Sequence, residues 1–145
     1  DDAAFVAGWA LYAQSLGTEL GLYADPYSQF GALNVELWRA AALVVDTGLH
    51  AQGWSRQRAG DYLRGNTALG EADIAAEVER YVACPGQALA DKIGQLKILE
   101  LRRRAEQRLG ERFDLREFHE QVIGSGILPL SVLETRIHRW IDARR

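Results

Sequence analysis

The chain has 145 residues, with 17 Lys and Arg against 20 Asp and Glu, a formal net charge of −3. Its 48% hydrophobic and 26% charged residues fit one globular domain large enough to bury its own core, and exclude a disordered chain. The mildly acidic balance argues against a dedicated nucleic-acid binder, and a single cysteine excludes both a disulfide framework and a multi-cysteine metal site within the chain.

The periodicity predicts an all-α fold of about seven helices, with residues 1–145 as a single helical domain. Phe5, Trp9, Tyr12, Leu16 and Leu20 form one apolar stripe, and Gly21 is placed to end that helix. Asp25-Pro26 opens a second helix, with Leu33, Leu37, Ala40 or Ala41, Val44 and Val45 expected inside, ending near Leu49 or His50. Ser55 caps a short helix to about Arg64, and Gly65-Asn66 and Gly70 mark a loop. A helix over 71–84 buries Ile74, Val78 and Tyr81 or Val82 before Cys84-Pro85-Gly86 breaks it. The next runs from about Gln87 to Leu109, with Ile93, Leu96, Leu99 or Ile98, and Leu101 inside. Asp114 caps Leu115–Ile123, and Pro129 opens a last helix that buries Val132 or Leu133, Ile137, Trp140 and Ile141. No stretch reaches the ~18 apolar residues of a membrane span. The opening lacks a targeting signal and a starting Met, and reads as a processed or trimmed product.

Few residues stand out for chemistry. The histidines at 50, 119 and 138 give no H-E-x-x-H spacing, and no serine sits in a G-x-S-x-G setting. Asp46 and His50, four apart, share a helix face. The carboxylate can fix the imidazole tautomer of a catalytic His, or the pair can simply close a helix end. Arg80-Tyr81 precedes the break at Pro85, where a Tyr can donate to a developing oxyanion or lie in the core. Cys84 reads as a small packed hydrophobe, Arg102-Arg103-Arg104 as a solvated face and His138 as a surface residue. His119 follows Phe118 on an amphipathic helix, where one of the two faces the core.

Several segments, in order, carry a resemblance. They are Phe5–Tyr12; Val44–His50 with Gly53-Trp54-Ser55; Arg80-Tyr81 with Pro85–Ala88; Gly94–Ile98; Phe113–Leu115 with Phe118-His119; and Pro129-Leu130. Together they resemble the bacterial family called domain of unknown function 885 over essentially the whole chain. The resemblance implies relatives of zinc-dependent, gluzincin-type metallopeptidases, several hundred residues long and mostly helical. An upstream H-E-x-x-P-G-H-like motif would bind zinc and activate water, with a third ligand from a Glu-Gly-Trp-Ala run. This chain would be the C-terminal portion, without the zinc helix.

Ala7 stands where the resemblance implies the ligand Glu, and alanine cannot bind a metal. Gln14, Ala42 and Asp91 stand where a Glu, an Arg and a Tyr are implied. No cofactor is therefore expected in this chain, although zinc is expected in an active full-length relative. By the same resemblance, His50 and Tyr81 would stabilise the oxyanion at the scissile carbonyl, and Asp46 would orient His50. Arg80 and Gln87 would hold substrate carboxylate or backbone. The full-length form would act on a peptide-like substrate and be either exported or cytoplasmic. The chain by itself is expected to be inactive, without tightly bound zinc. It is also expected to associate with itself or with the absent N-terminal portion. The rival expectation is a non-catalytic helical unit that kept the scaffold for binding or oligomerisation, and a plainer one is a purely structural helical domain.

Overall fold

The computed structural model describes residues 2–144, and every regular element among them is helical. In chain order these are α1 (Ala3–Glu19), α2 (Pro26–Ala51), α3 (Arg56–Asn66), α4 (Glu71–Ala83), α5 (Leu89–Leu109), α6 (Leu115–Ile123) and α7 (Leu130–Ala143), with a 3-10 turn at Gly110–Arg112. Local chemistry sets the starts. Asp2 accepts from Phe5 N, Asp25 from Tyr27 N and Ser28 N, Ser55 from Arg58 N, and Asp114 from Arg116 N and Glu117 N. Gly21, just past α1, takes φ +69°, the left-handed cap for which glycine is suited. The helix expected from Gln87 starts two residues later, because Cys84–Ala88 winds as turns before α5 begins.

Two apolar clusters flank α5. One joins α1, α5, α6 and α7 through Phe5, Tyr12, Ile98, Leu101, Phe118 and Ile137, among others. The other joins α2, α3 and α4 through Val45, Leu63, Ile74, Val78, Tyr81 and four alanines. The closest approach is between α1 and α5. A Cβ added at Gly94 would lie 1.8 Å from the Ala4 carbonyl oxygen, and one at Gly8 would lie 2.3 Å from Gly94 Cα. The two helices touch backbone to backbone there, which a side chain at either glycine would prevent.

Several expected core positions lie outside. Leu33, Leu37 and Val44 on α2, Ile93 and Leu96 on α5, and Leu20 at the end of α1 are exposed. Each lies on an apolar arc wider than the single face its helix packs, and of the positions expected inside on α2 and α5 it is Val45, Leu101 and, of the Leu99 or Ile98 alternatives, Ile98 that are fully buried. On α7 it is Leu133 that is buried, not Val132. Cys84 is exposed rather than packed, because it sits in the turn beyond α4. Arg102 is not a solvated cation. It reaches over α1 to Glu19 at 2.7 Å and to the Tyr12 hydroxyl at 3.4 Å. Among the described residues, no helix is long and apolar enough to cross a membrane.

Candidate functional site

The second half of α2 crosses α4 and the Cys84–Ala88 turn, and the five residues singled out above lie at that crossing. Asp46 is 2% exposed and accepts from Gly86 N with both carboxylate oxygens, each at 3.1 Å. Gly86 takes φ +80°, so glycine is what lets the chain present this N–H to the carboxylate. Asp46 thus ties the turn down to α2 rather than pointing its oxygens at His50. One turn further along, His50 Nε2 lies 2.9 Å from the Tyr81 carbonyl oxygen. A carbonyl only accepts, so the ring proton is on Nε2, and a neutral His50 keeps its lone pair on Nδ1.

Tyr81 is fully buried. Its hydroxyl accepts from Trp38 Nε1 at 3.2 Å and hydrogen-bonds Glu77 one turn earlier on α4. Burial first, and then the Glu77 carboxylate, push the Tyr81 hydroxyl well above its ordinary range, so it stays protonated. Burial also pushes Glu77 up, but hydrogen bonds from Arg80 and Tyr81 outweigh it and hold the carboxyl below its usual value. Arg80 grips Glu77 at 2.7 Å, reaches Gln87 at 3.3 Å and lies over the Tyr81 ring at 4.8 Å. Arg80 and Gln87 are therefore neighbours.

A polar seam continues where α2 meets the start of α5. Arg39 pairs with Asp91 at 3.2 Å, and Glu36 takes both Lys92 and the almost fully buried Gln95. Gln14 lines a cleft between α1 and α2 that Glu36 also borders. Ala42, 1% exposed, is packed into the α2–α4 cluster, and Ala7 lies half-buried beside the Gly8–Gly94 contact.

Sequence reasoning missed Trp38, Glu77, Glu36 and Gln95. Glu77, Arg80 and Tyr81 do carry a local signal, spaced three and four apart on one helix. Trp38 and Gln95 carry none, since their partners come from another helix.

A further polar group joins α1, α5 and α6. The Tyr12 hydroxyl lies 2.8 Å from His119 Nε2, and Arg102 links Tyr12 to Glu19 and Glu106. His119 also stacks at an edge against Trp9. Burial, and then Arg102, hold the His119 pKa below its ordinary value.

What these residues do as they stand is brace. Asp46, Glu77 and the Tyr81 hydroxyl at the α2–α4 crossing already have internal partners, and Tyr81 is fully buried, whereas His50 is exposed. No group of three or more His, Cys, Asp or Glu side chains among the described residues is placed to hold a metal ion, and Ala7 offers no donor atom. The described residues do not form a zinc site.

Residues 2–137 match the family described as "Bacterial protein of unknown function (DUF885)". The chain belongs to this family. A solved structure with a TM-score of 0.95 and 48% identity is described as "the putative lipoprotein from Colwellia psychrerythraea". The match covers 97% of this chain and 24% of that one, so this DUF885 chain spans about a quarter of its relative's length. No curated protein matches it.

Proposed function

We propose that this chain is the helical C-terminal portion of a larger, gluzincin-like hydrolase that cleaves peptide or amide bonds, and that it is inactive by itself. The observation that carries this reading is the convergence of Asp46, His50, Arg80, Tyr81 and Gln87 on one crossing of α2, α4 and the turn between α4 and α5. The relative, four times as long, supports the view that such a unit works beside further polypeptide. In this reading any zinc is held by residues outside the chain. His50 and Tyr81 form the wall nearest the substrate carbonyl, Asp46 fixes the turn that shapes that wall, and Arg80 with Gln87 holds the substrate's carboxylate or backbone. The lipoprotein description of the relative supports an exported protein.

A second reading is a non-catalytic helical unit that binds or oligomerises. It is favoured by the Tyr81 hydroxyl, which is buried and already engaged by Trp38 and Glu77. One experiment separates the two. The full-length Colwellia protein and this chain are assayed on mixed peptide substrates with and without a metal chelator. The hydrolase reading expects chelator-sensitive cleavage by the long protein and none by the chain. An inert long protein, or turnover by the chain alone, overturns it, and the inert case leaves the binding reading standing.

A further inference from the structure

A groove of about 770 Å³ lies between the end of α6 and α7, and it shares no residue with the α2–α4 crossing. Arg136 and Arg139, three apart on α7, line it and so lie on one helix face. Arg136 Nε donates to the Gln121 carbonyl oxygen at 2.8 Å, which leaves both terminal nitrogens of its guanidinium unengaged. Arg139 is exposed and has no partner among the described residues. No carboxylate lines the groove. Elsewhere in the chain Arg39, Arg56, Arg64, Arg80, Arg102 and Arg144 each pair with an Asp or a Glu. One unpaired surface arginine needs no explanation. Two like charges set side by side over a concave surface, with no counter-charge in its walls, do.

The wall holds a second unmet group. Trp140 is 9% exposed and lines the groove, and its Nε1–H is buried with no acceptor. A buried indole N–H ordinarily finds one. The first turn of α7 contributes Ser131 to the wall and sets the positive end of the helix dipole beside it. Leu128 and Val132 make the rest of the wall apolar. The charge of the chain is divided in the same sense. Residues 1–91 carry five basic against twelve acidic side chains, whereas residues 92–145 carry twelve against eight. The acidic chain thus keeps its basic surplus in the half that holds the groove.

We propose that the α6–α7 groove binds an oxyanion, a carboxylate or phosphate carried on a short apolar body. A guanidinium fork pairs with either headgroup through two parallel hydrogen bonds. An oxygen at the floor of the groove supplies the acceptor that Trp140 lacks, and Leu128 and Val132 receive the apolar part. Two sources carry this chemistry: a diffusible organic anion, and an acidic side chain of further polypeptide in a longer chain. The inference rests on this groove alone and stands whether or not the longer protein is a hydrolase.

Isothermal titration of the whole chain with hexyl phosphate, hexanoate, acetyl-glutamyl-amide and inorganic phosphate tests it. The expected result is saturable binding of at least one of the three organic anions, and weaker binding of inorganic phosphate. Tightest binding of hexyl phosphate or hexanoate assigns the groove to a diffusible anion. Tightest binding of acetyl-glutamyl-amide assigns it to an acidic side chain. Arg139→Gln should weaken the binding about tenfold with helicity unchanged, since this side chain has no internal partner to lose. Arg103→Gln, at an exposed position on α5 outside the groove, removes the same charge and should leave the binding intact. No saturable binding of any organic anion overturns the proposal. So does an equal loss in Arg139→Gln and Arg103→Gln, or inorganic phosphate that binds as tightly as the organic anions.

Discussion

On the α1 side of α5, the buried residues are mostly large: Phe5, Tyr12, Ile98, Leu101, Leu109, Phe118, Leu133, Ile137, Trp140 and Ile141. On the α2 side, four of the nine buried residues are alanines, and the largest, Tyr81, brings a hydroxyl that needs partners. The first core has apolar volume and a backbone-to-backbone contact. The second has less apolar surface to bury, and hydrogen bonds across its helices supply much of its definition: Asp46 to Gly86, His50 to the Tyr81 carbonyl, and Trp38 to the Tyr81 hydroxyl. The candidate site residues all lie in this second region. They serve as its fastenings, so a variant made there to test chemistry also changes folding.

The sharpest test of the contrast is at the glycine contact. Gly94→Ala puts a methyl group where the Ala4 carbonyl oxygen already sits, so α1 and α5 must separate. The expected loss is ~3 kcal/mol or more, read by urea denaturation. A loss below ~1 kcal/mol would mean that the two helices slide freely, and that the first core lacks the rigidity claimed for it. Next in size is Asp46→Ala, which leaves the Gly86 N–H without its acceptor and should cost about 2 kcal/mol. Asp46→Asn keeps a carbonyl oxygen for that N–H and should cost about half as much. Equal losses for the two variants would show that the carboxylate charge, not the hydrogen bond, holds the turn.

The two regions also differ in how far they could be read from sequence. Helix number and most of the capping chemistry were legible, because Asp25, Ser55 and Asp114 act on residues two and three places away. Tyr81 was legible as one of two core candidates, and Arg80 and Gln87 as site candidates by resemblance. What periodicity could not supply was the choice of face on α2 and α5. Both helices carry apolar residues around much of their circumference, and only the neighbours decide that Val45 and Ile98 go inward while Leu33 and Leu96 do not. Long-range polar pairs were equally illegible. Asp46 looks like a partner for His50 at four-residue spacing, yet its oxygens go to Gly86, forty residues on in sequence. The glycine that permits this was visible only as part of a helix break.

The smallest expected effect concerns the polar inlay of the first core. Burial and the nearby Arg102 favour neutral His119 in the folded chain, against a weaker opposing pull from Glu19. The ring faces the Tyr12 hydroxyl and Trp9 from α1, and Arg102 from α5. An unfolded His takes up a proton near its ordinary pKa of about 6.5, whereas the folded His119 resists until the pH is lower. Below about pH 6.5 the unfolded state therefore binds more protons than the folded one. Stability linked to His119 is fully present above that pH and declines as pH falls toward the folded pKa. His119→Gln keeps a polar side chain opposite Tyr12 but does not titrate, so its stability should run flatter between about pH 6.5 and 5 than that of the parent chain. Parallel curves would mean that His119 titrates as freely folded as unfolded. The inlay would then be open to water, in contrast to the fully buried Tyr81 of the second region.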